Sequence, residues 1–299
     1  MSLKHSQVVR SVPLPIPRQK STESGRLIGD ILMDAERLKP VDVDRIMSFQ
    51  EGTHVRFGDA GQALGLLTED DVRYALSVQF DYSYLPEDCL LSRELVAAYE
   101  PASQVVEDFR ALRSQLMLRW FDTGAENRAL AIASAGQGDG RSYLAANLAI
   151  VMSQLGERTL LIDADLRRPR QHKLFSLGAR AGLSDMLVCR VGPEAVVNIP
   201  ELHDLSVLTA GVIPPNPQEL LARQYFSTLL QSMRESFDVI IIDTPAAAAF
   251  ADAHTVAVRA GAALLVARQG SSSVPKMAQL TQSLREFGVA VIGSVLNDA

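Results

Sequence analysis

From about residue 104 onward, short apolar segments alternate with amphipathic ones. The segment after the first apolar run carries Leu144, Leu148, Val151 and Leu155, whose spacing of i, i+4, i+7 and i+11 predicts one face of a helix. Strands that alternate with helices predict an α/β fold with a mainly parallel sheet covered by helices on both faces. The candidate strands are residues 129–133, 159–162, 205–208, 239–242, 262–267 and 289–295.

The first hundred residues are organised differently. Residues 1–25 are predicted to form a flexible arm, in which four basic residues precede the first acid. Residues 27–50 and 56–79 repeat with an offset of 29, and each unit ends on a glutamine that continues an apolar helical face. This pattern predicts a small helical domain over 26–85, followed by a linker over 86–103.

Composition and charge exclude several classes of protein. The chain has 299 residues, 47% of them hydrophobic, and a formal net charge of −6, which argues against nucleic-acid binding. Its two cysteines, Cys89 and Cys189, lack metal-ligand spacing and suit a reducing compartment. Because no uncharged apolar run approaches the ~18 residues that span a bilayer, we expect a cytoplasmic globular protein without a transmembrane segment.

A glycine-rich loop, SAGQGDGRSY at residues 134–143, lies between the first predicted strand and the helix that follows it. Its three glycines, Gly136, Gly138 and Gly140, allow a tight turn whose backbone amides point inward. The N-terminus of the following helix adds a positive end to this nest of amides. Such a nest binds phosphate groups, although glycine turns between a strand and a helix also occur for purely structural reasons.

The loop approximates the P-loop pattern GxxxxGK[ST], with two departures. Ala135 stands at the first glycine position, and Arg141 stands at the lysine position. Ser142 is where a hydroxyl would reach Mg²⁺. Arginine keeps the charge of lysine but presents its donors in a rigid plane, so this exchange bears on the rate of phosphoryl transfer more than on phosphate binding.

Acidic residues follow two of the later predicted strands. Asp163 and Asp165 come after one apolar run, and Asp243 comes after another. Carboxylates at the C-terminal ends of parallel strands line the crevice where ligands bind, and their oxygens suit Mg²⁺. An acid after a strand is often only the cap of the next helix. Three such acids together with a glycine loop in this chain order favour a nucleotide site.

In this order the motifs resemble those of the bacterial tyrosine kinases of capsule and exopolysaccharide synthesis, which are related to the ParA and MinD ATPases. Residues 134–143 resemble the family's SxxPGEGKST loop, and residues 160–169 resemble its LLIDxDLRxP segment. Residues 237–245 resemble its Walker B strand, and residues 214–221 its PPNPxELL segment. The resemblance covers about residues 104–297 and is strongest to the EpsG-like chain-length-determinant tyrosine kinases. It implies a P-loop NTPase fold.

The resemblance also implies an activity, that of an ATP- and Mg²⁺-dependent protein-tyrosine kinase that regulates exopolysaccharide chain length, polymerisation or export. A membrane polysaccharide co-polymerase would hold the protein at the cytoplasmic side of the inner membrane. Asp163 would accept the tyrosine proton or share the metal. The implied catalytic residues are Arg141, Asp163 and Asp165. The implied metal ligands are Ser142, Asp165 and Asp243. The implied nucleotide contacts are Gly136, Gly138, Asp139, Gly140, Arg141, Ser142 and Tyr143.

A helical segment before the first strand matches the family's ExxRxxR motif, which joins neighbouring subunits in a ring. Its members Glu107, Arg110 and Arg113 are the expected oligomer contacts. The alternative is an i, i+3 ion pair on a solvated helix, worth only ~0.2–0.5 kcal/mol. Glu107 and Arg110 are expected to point away from the apolar stripe, which consists of Val105, Phe109, Leu112 and Leu116.

The tyrosines depart from the family pattern, because none of the six lies in the last 74 residues. The expected acceptors are therefore Tyr82, Tyr84 or residues of another protein. The alternative function is a ParA/MinD-like nucleotide-switched ATPase or assembly factor that phosphorylates no tyrosine. Gly136 stands where the ParA and MinD proteins usually have an additional lysine, which disfavours that alternative.

The N-terminal repeat resembles the N-terminal domain of type II secretion ATPases, some relatives of which bind cyclic di-GMP through two RLG…Q units. Arg56 and Gly58 match that pattern, whereas Leu27 and Glu36 depart from it. A guanine nucleotide needs cationic contacts and close backbone approach. Cyclic di-GMP is therefore one interpretation of this domain, and docking of another protein is the favoured one.

Overall fold

The computed structural model describes residues 26–79, 85, 88–124 and 126–298. The predicted arm over 1–25 and the candidate acceptors Tyr82 and Tyr84 lie outside the described residues. The first part of the described chain is a four-helix unit with its own apolar core. Its helices are α1 (Ile28–Asp34), α2 (Pro40–Thr53), α3 (Phe57–Ala63) and α4 (Glu69–Gln79).

The two repeats of this unit are tied together by their terminal glutamines. Gln50 Nε2 donates to the carbonyl of Val55 at 2.9 Å, and Gln79 Nε2 donates to the carbonyl of Arg26 at 2.8 Å. Both the donors and the acceptors are 29 positions apart, so each glutamine joins the end of one repeat to the start of the other in the same way. The repeated glutamines therefore have a structural use.

The repeated glycines also serve packing. A Cβ on Gly58 would lie 2.8 Å from the side chain of Val72, and a Cβ on Gly29 would lie 3.5 Å from the side chain of Val43. These two contacts are again 29 positions apart. A side chain at Gly58 would push α3 away from α4, so the glycine permits close helix packing.

The remainder of the chain forms the predicted α/β unit. A seven-stranded sheet has the order β3-β4-β2-β5-β1-β6-β7 and is parallel except for β3, which pairs antiparallel with β4. The strands are β1 (Ala129–Ala133), β2 (Thr159–Asp163), β3 (Val197–Asn198), β4 (Leu205–Leu208), β5 (Val239–Asp243), β6 (Ala262–Arg268) and β7 (Ala290–Asn297). The short β3 is the only one of these strands that the apolar pattern did not predict.

Helices cover both faces of the sheet, as the continuous apolar strands require. One face packs against α5 (Val96–Tyr99), α6 (Gln104–Arg119) and α7 (Arg141–Ser153). The short α8 (Gln171–Leu174) contributes Leu174 to the core on this face. The other face packs against α9 (Leu183–Leu187), α10 (Pro217–Ala222), α11 (Gln224–Ser236), α12 (Asp252–Ala260) and α13 (Val274–Glu286). None of the helices in the described ranges is both long and apolar enough to cross a bilayer.

Residues 88–99, which lie within the predicted linker, pack into the core of the α/β unit. Leu95 and Ala97 are fully buried, and the Ala97 amide donates to Asn147 Oδ1 of α7 at 2.9 Å. The Ser92 amide donates to the carbonyl of Leu174 at 2.9 Å. The four-residue α5 is the only helix or strand of this segment, and the segment is buried through contacts with residues distant in the sequence.

Helix α6 packs the predicted stripe against the core except at its first position. Val106, not Val105, is buried beside Phe109 and Leu116, and Val105 is 48% exposed. Ser103 caps the helix and accepts from the Val106 amide, which fixes where the helix begins and therefore its phase. The prediction of a buried Val105 was wrong.

Candidate functional site

The glycine loop joins β1 to α7 at the edge of the sheet where the parallel strands end. Gly138 and Gly140 have φ of +81° and +98°, which side chains other than glycine rarely adopt. A Cβ on Gly140 would also lie 2.3 Å from Asn297 Nδ2, which donates to the carbonyl of Asp139 at 3.2 Å. The loop therefore needs glycine at this point, and the end of β7 packs directly on it.

Asp139 braces the loop from inside. Its side chain is only 1% exposed, and its Oδ2 accepts from the Gly136 amide at 2.8 Å. Its Oδ1 accepts from the Ser272 hydroxyl at 2.8 Å. The carboxylate is thus used within the loop, and the nucleotide contact predicted for Asp139 stays a prediction.

Arg141, the first residue of α7, folds back into the loop and is 8% exposed. Its Nε donates to the carbonyl of Thr244 at 2.8 Å, and its Nη1 donates to the carbonyl of Gly136 and to the Ser134 hydroxyl. The guanidinium thus joins the glycine loop to the residue that follows Asp243. The predicted contact of Arg141 with phosphate stays a prediction.

Asp163 and Asp243 lie side by side at the ends of adjacent parallel strands, and both are fully buried. Asp163 accepts from the backbone amides of Asp165, Arg170 and Gln171 at 3.2, 2.9 and 2.9 Å. Burial, and next the nearby Asp243 charge, hold the pKa of Asp163 well above its usual range. Its carboxylate therefore organises the loop between β2 and α8.

Asp243 is held by neutral donors. Gln171 Nε2 donates to its Oδ2 at 2.8 Å, and its buried Oδ1 has no hydrogen-bond partner among the described residues. Burial raises the pKa of Asp243 to about 6, although hydrogen bonds from Ser142 and Gln171 oppose the rise. A buried carboxylate oxygen without a donor is costly, and a cation would satisfy it. The structure therefore brings Ser142 and Asp243 together around an oxygen that suits Mg²⁺.

Asp165 lies on the loop after β2 and is nearly buried. Its Oδ1 accepts from the amides of Arg167 and Arg168 at 3.1 and 2.8 Å, and its charge raises the pKa of both Asp163 and Asp243. In the described part of the chain, no three or more acidic, histidine or cysteine side chains form a metal-binding group by themselves.

Gln171 is a site residue that the sequence motifs did not indicate. It is fully buried, and its Nε2 donates to both Asp243 Oδ2 and the carbonyl of Ser142, the latter at 3.1 Å. A glutamine at the start of a four-residue helix gives no periodic or motif signal. Only the fold shows that it lies between the two strand ends.

Two tyrosines of the α/β unit make contacts within the fold. Tyr143 is half-buried and its ring lies 6.0 Å from that of Phe109 on α6, and burial raises its pKa. Tyr99 donates from its hydroxyl to the carbonyl of Leu91 at 2.7 Å, and burial raises its pKa to about 12. The nucleotide contact predicted for Tyr143 stays a prediction, and its ring packs toward α6.

The three predicted oligomer contacts on α6 differ in their surroundings. Glu107 and Arg110 form an ion pair on the outer side of the helix. Arg113 instead donates from Nη1 to the carbonyl of Val151 at 2.8 Å, in the last turn of α7, where a cation is favourable. Arg113 therefore has a contact within its own chain, which the sequence motif did not indicate.

Comparison with known proteins identifies the family. No family model matches the chain. Tyrosine-protein kinase YwqD of Bacillus subtilis is 34% identical over 207 residues, which are 69% of this chain and 86% of YwqD. The chain belongs to the bacterial tyrosine kinase family. This confirms the resemblance of the motifs in the α/β unit, whereas the resemblance of the N-terminal repeat to type II secretion ATPases stays a prediction.

Longer members of the bacterial tyrosine kinase family match over a similar length of this chain. Tyrosine-protein kinase Etk of Escherichia coli K12 is 36% identical over 202 residues, which are 68% of this chain. The chain spans only 28% of the length of Etk. The family relationship therefore applies to the α/β unit.

Solved structures agree with this assignment. The kinase domain of E. coli ETK has a TM-score of 0.65 and 33% identity, over 73% of this chain and 81% of that domain. MinD of Pyrococcus horikoshii has a TM-score of 0.50 and 22% identity, over 56% of this chain and 69% of MinD, which shows the shared fold alone. The predicted P-loop α/β fold is confirmed.

Proposed function

We propose that the protein transfers the γ-phosphoryl group of ATP to tyrosine side chains. The observation that carries the proposal is the buried, unsatisfied Oδ1 of Asp243 beside Ser142, at the mouth of a phosphate-binding loop. Membership of the bacterial tyrosine kinase family supports the choice of tyrosine as acceptor. Phosphoryl transfer is catalysed mainly by positioning and charge stabilisation, which a rigid loop and fixed carboxylates provide.

The residues of the site have different chemical roles. The amides of the loop and the N-terminus of α7 bind the phosphates, and Gly138 and Gly140 give the loop its shape. Ser142, Asp165 and Asp243 hold Mg²⁺, which neutralises phosphate charge when it is bound. Arg141 adds a positive charge at the loop and exchanges carbonyl acceptors for phosphate oxygens when nucleotide binds.

Two roles were predicted for Asp163, and its surroundings favour the one at the metal. It is fully buried, and its oxygens already accept three backbone amides. We therefore assign Asp163 two roles, which are to share the metal with the other ligands and to hold the loop after β2. Acceptance of the tyrosine proton would require it to reach an exposed hydroxyl.

The partners are inferred from the family. A membrane polysaccharide co-polymerase would recruit the protein to the inner membrane, where it would regulate exopolysaccharide assembly. Self-association through the exposed Glu107 and the partly buried Arg110 would place the α6 helices at subunit contacts. The helical unit is assigned to docking rather than to cyclic di-GMP, because its repeated glutamines and glycines are used in packing.

The decisive experiment is detection of phosphotyrosine by mass spectrometry after incubation with Mg·ATP and a candidate membrane partner. The matched control is Asp243→Asn, which should give no phosphotyrosine. ATP hydrolysis without phosphotyrosine in the unsubstituted protein would instead support the nucleotide-switched assembly factor. Analytical ultracentrifugation of a Glu107→Ala/Arg110→Ala variant tests assembly, with Arg113 left intact because it supports the fold.

A further inference from the structure

Gln171 is placed where three motifs of the site meet. Its side chain is fully buried at the first position of α8. Its backbone amide donates to Asp163 Oδ2 at 2.9 Å, and its Nε2 donates to Asp243 Oδ2 and to the carbonyl of Ser142. One residue thus contacts the ends of β2 and β5 and the first turn of α7.

The chemistry of an amide suits this position better than the alternatives. A lysine or arginine here would place a positive charge beside the Asp243 carboxylate and would compete with a metal cation for that carboxylate. An apolar side chain would remove the donor to Oδ2, and Oδ1 already has none. The neutral amide occupies Oδ2 and leaves Oδ1 unpaired, so it selects which oxygen remains for another ligand.

The amide oxygen of Gln171 gives a second observation. Gln171 Oε1 is buried and has no hydrogen-bond partner among the described residues. A buried acceptor of this kind is normally paired with a protein donor or with ordered water. Mg²⁺ keeps several of its waters when it binds to a protein, and those waters are strong donors.

We propose that Gln171 is a positioning residue for the cation. It fixes the Asp243 carboxylate so that Oδ1 is available to Mg²⁺, and its Oε1 accepts a hydrogen bond from a water ligand of the metal. This inference rests on the proposed function, since it requires Mg·nucleotide to bind at this site. Outer-shell partners of metal ligands typically contribute 10–100-fold to metal affinity.

The test compares ADP dissociation constants measured with Mg²⁺ and with EDTA, on the full chain. Their ratio reports the contribution of the metal separately from the phosphate contacts. In Gln171→Met, which keeps the size of the side chain, the ratio should fall by about tenfold or more. The affinity in EDTA should change by less than about threefold, because the loop amides are retained. A merely structural role would weaken both affinities together and lower the melting temperature.

The matched control is Gln154→Met. Gln154 also donates from a glutamine amide to a main-chain carbonyl, that of Ala97 at 3.0 Å, but it lies at the far end of α7. Its substitution should leave the ratio unchanged. If Gln171→Met does not fold, Gln171→Asn keeps a buried amide with a shorter reach and should reduce the ratio in the same direction.

The possible outcomes separate this inference from the proposed function. A ratio of one in the unsubstituted protein would show that Mg²⁺ does not contribute to nucleotide binding, and it would overturn the proposed metal site. A large ratio in the unsubstituted protein that persists in folded Gln171→Met or Gln171→Asn would overturn the role of Gln171 alone. A ratio lowered only in the Gln171 variants supports the proposal.

Discussion

The two ends of strand β5 carry aspartates in opposite surroundings. Asp238, just before the strand, is 29% exposed and accepts from Arg158 at 2.7 and 2.8 Å and from Arg128 at 3.1 Å. The Arg158 hydrogen bond holds its pKa below the usual range. Asp243, at the other end, is fully buried, held by neutral donors, and has a pKa raised to about 6.

This contrast distinguishes a carboxylate that supports folding from one that is kept for a ligand. At the amino edge of the sheet, Arg128 and Arg158 form ion pairs with Asp238 in partial contact with water. At the carboxyl edge, burial and the charge of Asp165 raise the pKa of Asp243 more than Arg141 and the hydrogen bonds from Ser142 and Gln171 lower it, so the charged carboxylate disfavours the folded state. Natural proteins retain such unfavourable groups mainly at functional sites, where a ligand supplies the missing charge.

The largest expected difference between the two ends is in catalysis. Asp243→Asn should lower the single-turnover rate of phosphoryl transfer by about 100-fold or more, because it removes charge at the cation site. Asp238→Asn should keep most of the rate, since the amino edge is remote from the loop. Equal losses in the two variants would contradict the assignment of the site to the carboxyl edge.

The second difference is in stability as a function of pH. A raised pKa means that folded protein binds the Asp243 proton more tightly than unfolded protein does. The resulting stabilisation is complete below pH 3.8 and is lost as pH rises through about 6. Without nucleotide and in EDTA, Asp243→Asn should therefore be more stable than the unsubstituted protein at pH 8, by about 1–3 kcal/mol.

The measurement is the free energy of unfolding in denaturant between pH 4 and pH 8. The advantage of Asp243→Asn should shrink toward pH 4. Saturating Mg·ADP should reverse the order, because the ligand stabilises only the protein that binds it. A variant that is less stable at every pH would show that Asp243 supports folding.

The third difference has the opposite sign. Asp238→Asn should destabilise the protein by about 1 kcal/mol at pH 7, because it weakens charge-assisted hydrogen bonds at a partly exposed site. A lowered pKa means that this stabilisation is present above pH 3.8 and is lost as pH falls through the lower folded value. Unfolding free energies measured from pH 7 downward test this, and an Asp238→Asn cost that does not shrink as the pH is lowered below 3.8 would be inconsistent with it.

The strand ends of the site could be predicted from sequence because motif and fold coincide there. Asp163 and Asp243 each follow a continuous apolar strand, and parallel strands place such residues at one edge. The sequence could not show that Arg141 donates to main-chain carbonyls or that Gln171 joins the two strand ends. Those contacts depend on the directions of side chains whose partners are 29 to 103 positions away in the sequence.

The helical regions show a similar limit. The offset of 29 predicted two repeated units, but not that Gln50 and Gln79 would bond to the start of the opposite repeat. In α6 the predicted stripe was wrong at its first position, because the helix begins at the Ser103 cap and buries Val106 in place of Val105. Pattern therefore identified the elements, whereas caps and distant contacts determined their phase and partners.

The smallest expected difference between the ends of β5 is in the effect of salt. Asp238 and its partners Arg128 and Arg158 are each about one-third exposed, so mobile ions can screen their interaction. The cost of Asp238→Asn should therefore fall by a few tenths of a kcal/mol between about 0.05 M and 1 M NaCl. Asp243 is fully buried, and the stability gained in Asp243→Asn should be nearly constant over this range. Unfolding free energies of the three proteins at both salt concentrations measure these changes. The same salt dependence at both ends would mean that ions reach the carboxyl edge as readily as the amino edge, and burial would then fail to explain the raised pKa of Asp243.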